Sequence, residues 1–182
     1  MHLLMAIVLA LSTPAVAGRA DDVQTSEYHR LAQELSTLAG RQAWTGVERT
    51  YRAMVALGVP MTAADHRRAA DAARSRGDIT ALRERLAASV RLEENRDAIE
   101  TLWSIDAGMG RARLEGAVEL RVVEGVWLPE AVAAVDFAAE QLAREGVFEG
   151  YLPPGTYRFG ELTVVIVAGE ELQRVHPAPR SR

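Results

Sequence analysis

The residues that could do chemistry are few, and none of them falls in a catalytic motif. The 182-residue chain has no cysteine and no lysine, which excludes thiol nucleophiles, thiolate metal sites and Schiff-base lysines. Beyond Ala17 the histidines are His29, His66 and His176, and none has the His-Glu-x-x-His spacing of a zinc site. Asp65 and His66 are neighbours on a predicted helix, where adjacent side chains point apart. We therefore expect no catalytic residue, no metal and no cofactor.

Two tyrosines offer a second possible function, the binding of cell-wall or other glycan. Tyr151 and Tyr157 stand on either side of a Pro-Pro-Gly turn at 153–155. If both rings are exposed, they form an aromatic contact surface, since a tyrosine combines a large apolar area with a polar tip. A third hypothesis, a periplasmic hydrolase with an unrecognised site, has no motif in its favour. The glycan hypothesis depends on the exposure of both rings.

The charges of the chain indicate a mixed, solvated surface. The formal net charge is −4 at pH 7, and arginine alternates with aspartate and glutamate along the sequence. No block of like charge marks a surface for nucleic acid or for a membrane. All 21 strongly basic side chains are arginine, and the abundance of alanine and arginine is typical of a GC-rich bacterial genome. We expect a bacterial protein with no nucleic-acid partner.

The first residues have the pattern of a secretory signal peptide. The apolar run Leu3–Leu11 is too short to span a bilayer as a helix, which takes about 20 residues. A Ser-Thr-Pro break follows, and Ala15 and Ala17 supply the small residues that signal peptidase requires. We expect residues 1–17 to be removed, so that the mature chain begins near Gly18 in the periplasm or outside the cell. No cysteine follows for a lipid anchor, and no second apolar run is long enough for stable membrane insertion after cleavage.

The elements that must position the remaining side chains divide near Gly108-Met109-Gly110. Before this point the apolar residues follow a helical period, and after it they alternate with a period of two. The sequence therefore predicts an α+β fold, with a helical domain at 18–107, a small α+β module at 108–172 and a disordered tail at 173–182. The predicted helices lie near 24–38, 43–57, 62–76, 78–92 and 95–106.

The helical part repeats itself at a spacing of about 35 residues, which is typical of stacked helical hairpins. An apolar triplet spaced i, i+3, i+7 occurs twice, at Trp44, Val47 and Tyr51 and again at Ile79, Leu82 and Leu86. Each unit has a short turn with a glycine, Gly40 or Gly77, between its halves. Thr62 with Asp65 predicts the start of the third helix, and Asp78 that of the fourth. We expect the last helix to cap the stack and its Trp103, like Trp44, to pack in the core.

The segment AADAARSRGDITALRERLAASVRLEEN at 69–95 resembles a tetratricopeptide repeat. Gly77 falls at the turn glycine of that pattern, and Leu82, Leu86 and Ser89 fall at its packing residues. The unit with Trp44 and Tyr51 resembles an earlier, more degenerate copy. The resemblance implies an α-α solenoid that acts as a non-catalytic interaction scaffold, with a groove lined by the first helix of each hairpin.

On this resemblance, the groove carries Arg67, Asp71 and Arg74 and, one unit earlier, His29. Arg67 and Arg74 are then available for an acidic group on a partner, because a guanidinium pairs well with a carboxylate. The implied partner is another envelope protein or a peptide. Two arrangements stay open: the groove is accessible, or the C-terminal module covers it.

The C-terminal part predicts strands around one helix, in a ββαββ or βαββ order. Residues 112–122 alternate between apolar and polar, with Gly116 as a bend or bulge. Pro129 and Gly146 mark the start and the end of the helix. A Pro-Gly turn then leads into a strand with Tyr157 and Phe159 on one side. The final run, LTVVIV, is apolar on both faces, as in a central or covered strand.

The segment LPPGTYRFGELTVVIVAGE at 152–170 resembles the turn-and-strand signature of PEGA-type and carboxypeptidase-regulatory-like modules of envelope proteins. Together with the signal peptide and the helical repeats, it resembles tetratricopeptide proteins of the bacterial cell envelope. This resemblance implies an interaction or scaffold role and names no reaction.

Overall fold

The computed structural model describes residues 17–125 and 128–175, and its fold is α+β, as expected. Five helices come first: α1 Ala17–Gly40, α2 Trp44–Leu57, α3 Ala63–Ser75, α4 Ile79–Leu92 and α5 Arg96–Gly108. The predicted bounds agree with these within two residues, except at the start of α1. Residues 22–26 of α1 are exposed, so this part of the helix buries no apolar stripe of the kind from which a helix start is predicted. Apart from Ala17, the expected signal peptide lies outside the described residues.

The helix starts follow the capping residues in the sequence. The Thr62 side chain accepts a hydrogen bond from the Asp65 backbone N–H at 3.2 Å, and the Asp65 carboxylate accepts one from the Thr62 N–H at 3.1 Å. Asp78 caps α4 by accepting from the N–H of Ala81 at 3.0 Å. The predicted capping box and the Asp78 cap are thus confirmed.

From α1 to α5, helices that are consecutive in the chain pack against each other, and α1 also contacts α3. The repeated triplets are largely buried, with Val47 and Leu82 in two separate cores. The expectation that Trp103 packs in the core is wrong, because its side chain is 76% exposed. In the described part of the chain α5 is the last helix of the stack, and no further hairpin covers its outer face.

A buried ion pair joins α2 to α4. The Arg85 guanidinium donates to both carboxylate oxygens of Glu48, at 2.7 and 2.9 Å, and also to the Ala69 carbonyl on α3 at 2.8 Å. It lies over the Tyr51 ring at 4.5 Å from the ring centroid. Burial alone would raise the pKa of Glu48, but Arg85 and Arg52 outweigh it and hold that pKa below its usual value. The pair fixes three helices relative to one another.

The described residues after α5 form a module of six strands and one helix. The strands are β1 Gly110–Glu115, β2 Leu120–Glu124, β3 Val147–Leu152, β4 Gly155–Phe159, β5 Leu162–Ile166 and β6 Glu171–Val175, and α6 Pro129–Glu145 follows β2. They form two three-stranded sheets, with strand orders β3-β1-β6 and β2-β4-β5. Strand β1 pairs antiparallel with β3 and parallel with β6. The observed order, ββαββββ, has more strands than predicted.

Several local predictions for the module are confirmed. Pro129 is the first residue of α6, and Gly146 ends that helix in the left-handed conformation with φ 71°. Gly116 lies at the bend between β1 and β2, with φ 142°. Tyr157 and Phe159 point to the same side of β4 and are both fully buried.

Two other predictions for the module are wrong. Strand β5 is hydrogen-bonded only to β4 and lies at a sheet edge, and Val165 on its outer face is 55% exposed. Its apolar composition therefore does not reflect cover on both faces. The tail expected from residue 173 is part of β6 as far as Val175, because these residues pair with β1. Residues 176–182 lie outside the described part.

The module docks on the helices where two glycines allow close contact. A Cβ added to Gly77, which has φ 76°, would lie 2.0 Å from the Ala133 carbonyl oxygen of α6. One added to Gly150 of β3 would lie 2.5 Å from the Thr80 hydroxyl oxygen of α4. Ala134 joins the core of α3, α4 and α5, and Tyr151 packs against it. Helices and module therefore share a core.

In residues 17–125 and 128–175 no helix has the length and apolarity needed to cross a membrane.

We expect Arg85→Met to lower the free energy of unfolding by about 3 kcal/mol, since it leaves the buried Glu48 carboxylate without its main partner. The double variant Glu48→Leu/Arg85→Met should lose less than the sum of the two single variants, because it removes both charges. Urea denaturation followed by circular dichroism measures all four proteins. Additive losses would show that the two side chains are not coupled.

Candidate binding groove

Arg67, Asp71 and Arg74 lie along one face of α3, as their i, i+4, i+7 spacing requires. The other faces of α3 are alanine-rich and buried against neighbouring helices. All three side chains line one groove of about 250 Å³. The first turns of α5 form its opposite wall, and the remaining lining residues are Leu86, Asn95, Asp97, Ala98 and Thr101. The structure thus brings together the three residues that the resemblance implies.

The three charges are held in different ways. The Arg67 guanidinium donates to Glu93 at 3.0 Å and to the Ser89 hydroxyl at 3.4 Å, so it is already paired across the helices. Asp71 and Arg74 are exposed, and within the described residues neither makes a hydrogen bond or an ion pair through its side chain. Arg74 is therefore the cation of this groove that is available to a ligand.

The groove continues beyond Arg74 into two further cavities. One, of about 480 Å³, is lined by Trp44, by Asp71 and by the first residues of α6. The other, of about 320 Å³, has an apolar floor and is lined by Ile79, Leu82, Ile105 and Met109, together with Thr101 and Ser104. Arg74 and Glu130 line both cavities. The C-terminal module thus walls the Arg74 end of the groove, while none of the described residues of the module lines the Arg67 end.

The structure does not bring His29 into this groove. His29 is exposed on α1, where its ring stands edge-on to that of Tyr28 with centroids 5.5 Å apart. Tyr28 faces α3 instead, and its hydroxyl donates to the Asp65 carboxylate at 2.7 Å. Consecutive helical residues are about 100° apart around the axis, so a register that points Tyr28 at α3 turns His29 away from it.

His66 packs between helices. Its Nδ1 lies 3.0 Å from the Tyr51 hydroxyl, which connects α3 to α2. Burial is the main cause that lowers the pKa of His66; the charges of Arg91 and Arg85 act in the same direction, and Asp65 opposes them. These surroundings therefore favour the neutral form of His66.

The expectation that Tyr157 is exposed for a glycan is wrong. Its ring is 0% exposed, and its hydroxyl donates to the Pro153 carbonyl at 2.6 Å. Burial raises its pKa well above the usual value. Tyr151 is half-buried and lines a separate cavity of about 210 Å³, and the Arg83 guanidinium lies 5.9 Å from its ring centroid. The two tyrosines therefore do not form one exposed surface.

Two acidic residues, one in the groove and one in the adjoining cavities, were not predicted from the sequence. Asp97 lies in the first turn of α5, and the signal was available, since Asn95 caps that helix and so marks where its first turn begins. Glu130 belongs to the module, and its position depends on the close contact between α6 and Gly77. Nothing in the local pattern around Glu130 indicates that contact.

Within the ranges that the structure describes, no three His, Asp or Glu side chains are grouped so as to hold a metal ion. Comparisons of this chain with protein-family models, with curated proteins and with solved structures find no match. The function of the groove must therefore be inferred from its own geometry and charge.

The lowered pKa of His66 predicts a stability that falls in weak acid. The unfolded chain takes up a proton near the ordinary value of 6.5, while the folded chain resists it, so stability is full above pH 6.5 and declines as the pH falls through that value. We expect His66→Gln to lose less stability than the wild type between about pH 7.5 and about pH 5.5.

Urea denaturation at the two pH values measures this effect. His29→Gln, at an exposed histidine outside the groove, is the control and should keep the wild-type dependence. An unchanged dependence in His66→Gln would contradict the assignment.

Proposed function

We propose that this chain is an exported, non-catalytic interaction module of the bacterial cell envelope, which binds a segment of another envelope protein or a peptide in the groove along α3. The observation that carries the proposal is the alignment of Arg67, Asp71 and Arg74 in one groove that opens into two adjoining cavities. The signal-peptide pattern supports the location, and the resemblance to tetratricopeptide repeats supports the role.

The size of the groove suits an extended segment of a protein. From Arg67 to Arg74 the helix advances by about 10 Å, at about 1.5 Å per residue. An extended chain covers that distance in about three residues. The cavities past Arg74 lengthen the contact surface and provide space for side chains. A segment bound there would contact α3, α5 and the first turn of α6 together.

The buried polar side chains of the helices have structural roles that suit a scaffold. Glu48, Arg85 and Asp65 are each satisfied by partners within the fold. His66 is engaged by Tyr51 at 3.0 Å. Asp71 and Arg74, which have no side-chain partner among the described residues, are exposed charges on the groove, and such charges suit recognition of a partner.

A steric block tests this function without assuming the charge of the partner. Thr101 lines the groove, and its hydroxyl donates to the backbone carbonyl four residues earlier at 2.8 Å. We expect Thr101→Trp to fill the groove and to abolish capture of the partner from an envelope extract. The partner is identified by mass spectrometry with the mature wild-type chain.

Thr37→Trp is the matched control, because Thr37 makes the same kind of hydrogen bond at 2.9 Å on the exposed side of α1. It should capture the same partner as the wild type. If Thr101→Trp still captures that partner while remaining folded by circular dichroism, the groove is not the binding site.

A further inference from the structure

We propose that the ligand of this groove is a net-basic extended segment that inserts one apolar side chain into the cavity between α4, α5 and α6; this inference rests on the proposed function. A basic ligand differs from the expectation from the sequence, in which Arg67 and Arg74 bind an acidic group of the partner. The geometry of the cavity and the balance of unpaired charge around it carry the inference.

The apolar anchor follows from the floor of the cavity. Ile79, Leu82 and Ile105 are 3–6% exposed and form a floor that is apolar and already packed. The cavity above them, about 320 Å³, has room for one large aliphatic side chain. Burial of such a side chain is favourable in proportion to its apolar area. Thr101 and Ser104 lie at the same cavity and can hydrogen-bond a peptide backbone.

The basic character follows from the charges that line the three connected cavities. Two of these charges are positive, and the Arg67 charge is already neutralised by Glu93 at 3.0 Å. Three carboxylates line the cavities, those of Asp71, Asp97 and Glu130, and within the described residues none of them forms an ion pair. Three unpaired negative charges thus face one unpaired positive charge, that of Arg74. The surplus attracts basic side chains and repels acidic ones.

Arg74 has a role that fits a basic ligand. Arg74 lines all three cavities, and its guanidinium offers five N–H donors without a carboxylate partner in the described chain. An extended peptide presents a backbone carbonyl at every residue, and these carbonyls are acceptors for such donors. Arg74 would therefore bind the backbone of the segment, while Asp71, Asp97 and Glu130 bind its side chains.

The module takes part in this recognition through Glu130. Glu130 lies in the first turn of α6 and lines both cavities past Arg74. Glu140 is a second exposed glutamate of the same helix, makes no ion pair with described residues and lines none of the three cavities. The two positions allow one substitution to be compared inside and outside the groove, with equal changes in net charge.

The test is selection of a random twelve-residue peptide library, displayed on phage, against the mature wild-type chain. We expect the selected peptides that compete for the groove to be net basic and to contain at least one aliphatic or aromatic side chain. Fluorescence anisotropy with a labelled, selected peptide should show Kd raised at least about tenfold by Glu130→Lys, since the variant places like charges together. Glu140→Lys should leave Kd unchanged.

The outcomes separate this inference from the proposed function. If the peptides that no longer bind to Thr101→Trp are net acidic, the inference of a basic ligand is wrong, while the groove remains the binding site. Equal weakening by Glu130→Lys and Glu140→Lys would show that only the overall charge matters, and would overturn the role of the cavity. If no selected peptide is sensitive to Thr101→Trp, both this inference and the proposed function fail.

Discussion

The close approach of α6 to Gly77 is the constraint on which the arrangement of this protein depends. A side chain at Gly77 would overlap the backbone of Ala133, at 2.0 Å from its carbonyl oxygen. Because that space is empty, the module packs directly on the turn between α3 and α4, and Ala134 enters the helical core. The same contact places the first turn of α6, with Glu130, beside Arg74. Docking of the module thus also forms the two cavities past Arg74, which are lined in part by α6.

The helices provide the other half of this arrangement through a polar network. Arg85 joins Glu48 to the backbone of α3 and lies against Tyr51, whose hydroxyl contacts His66. Such a network holds the helices in fixed positions, because separation of the ion pair would leave an uncompensated charge in the core. The network lies between α2, α3 and α4 and contacts the buried side of α3. The opposite side, with Asp71 and Arg74, remains exposed. A rigid α3 presents Asp71 and Arg74 at fixed spacing, which would lower the entropic cost of binding the proposed ligand.

The sequence predicts the local features of this fold well, because each depends on residues close in the chain. The capping box at Thr62, the left-handed Gly146 and the single charged face of α3 are all of this kind. The features that the sequence does not predict depend on contacts between residues far apart in the chain. Tyrosine is a common sugar-binding residue on protein surfaces, yet Tyr157 is buried inside the module. The segment LTVVIV forms a sheet edge, although it is apolar on both faces. Glu130 joins the site only through packing at Gly77.

If the proposed ligand binds in the groove, helices and module together form one binding surface. Hydrogen–deuterium exchange of the mature chain, free and saturated with a selected peptide, tests it most directly, because amide protection reports where a ligand orders or covers the backbone. We expect slower exchange in residues 67–74, in residues 95–101 and in residues 130–133 of α6 together, with α1 unchanged. Protection confined to the sheets around Tyr151, or to the helices without α6, would contradict it.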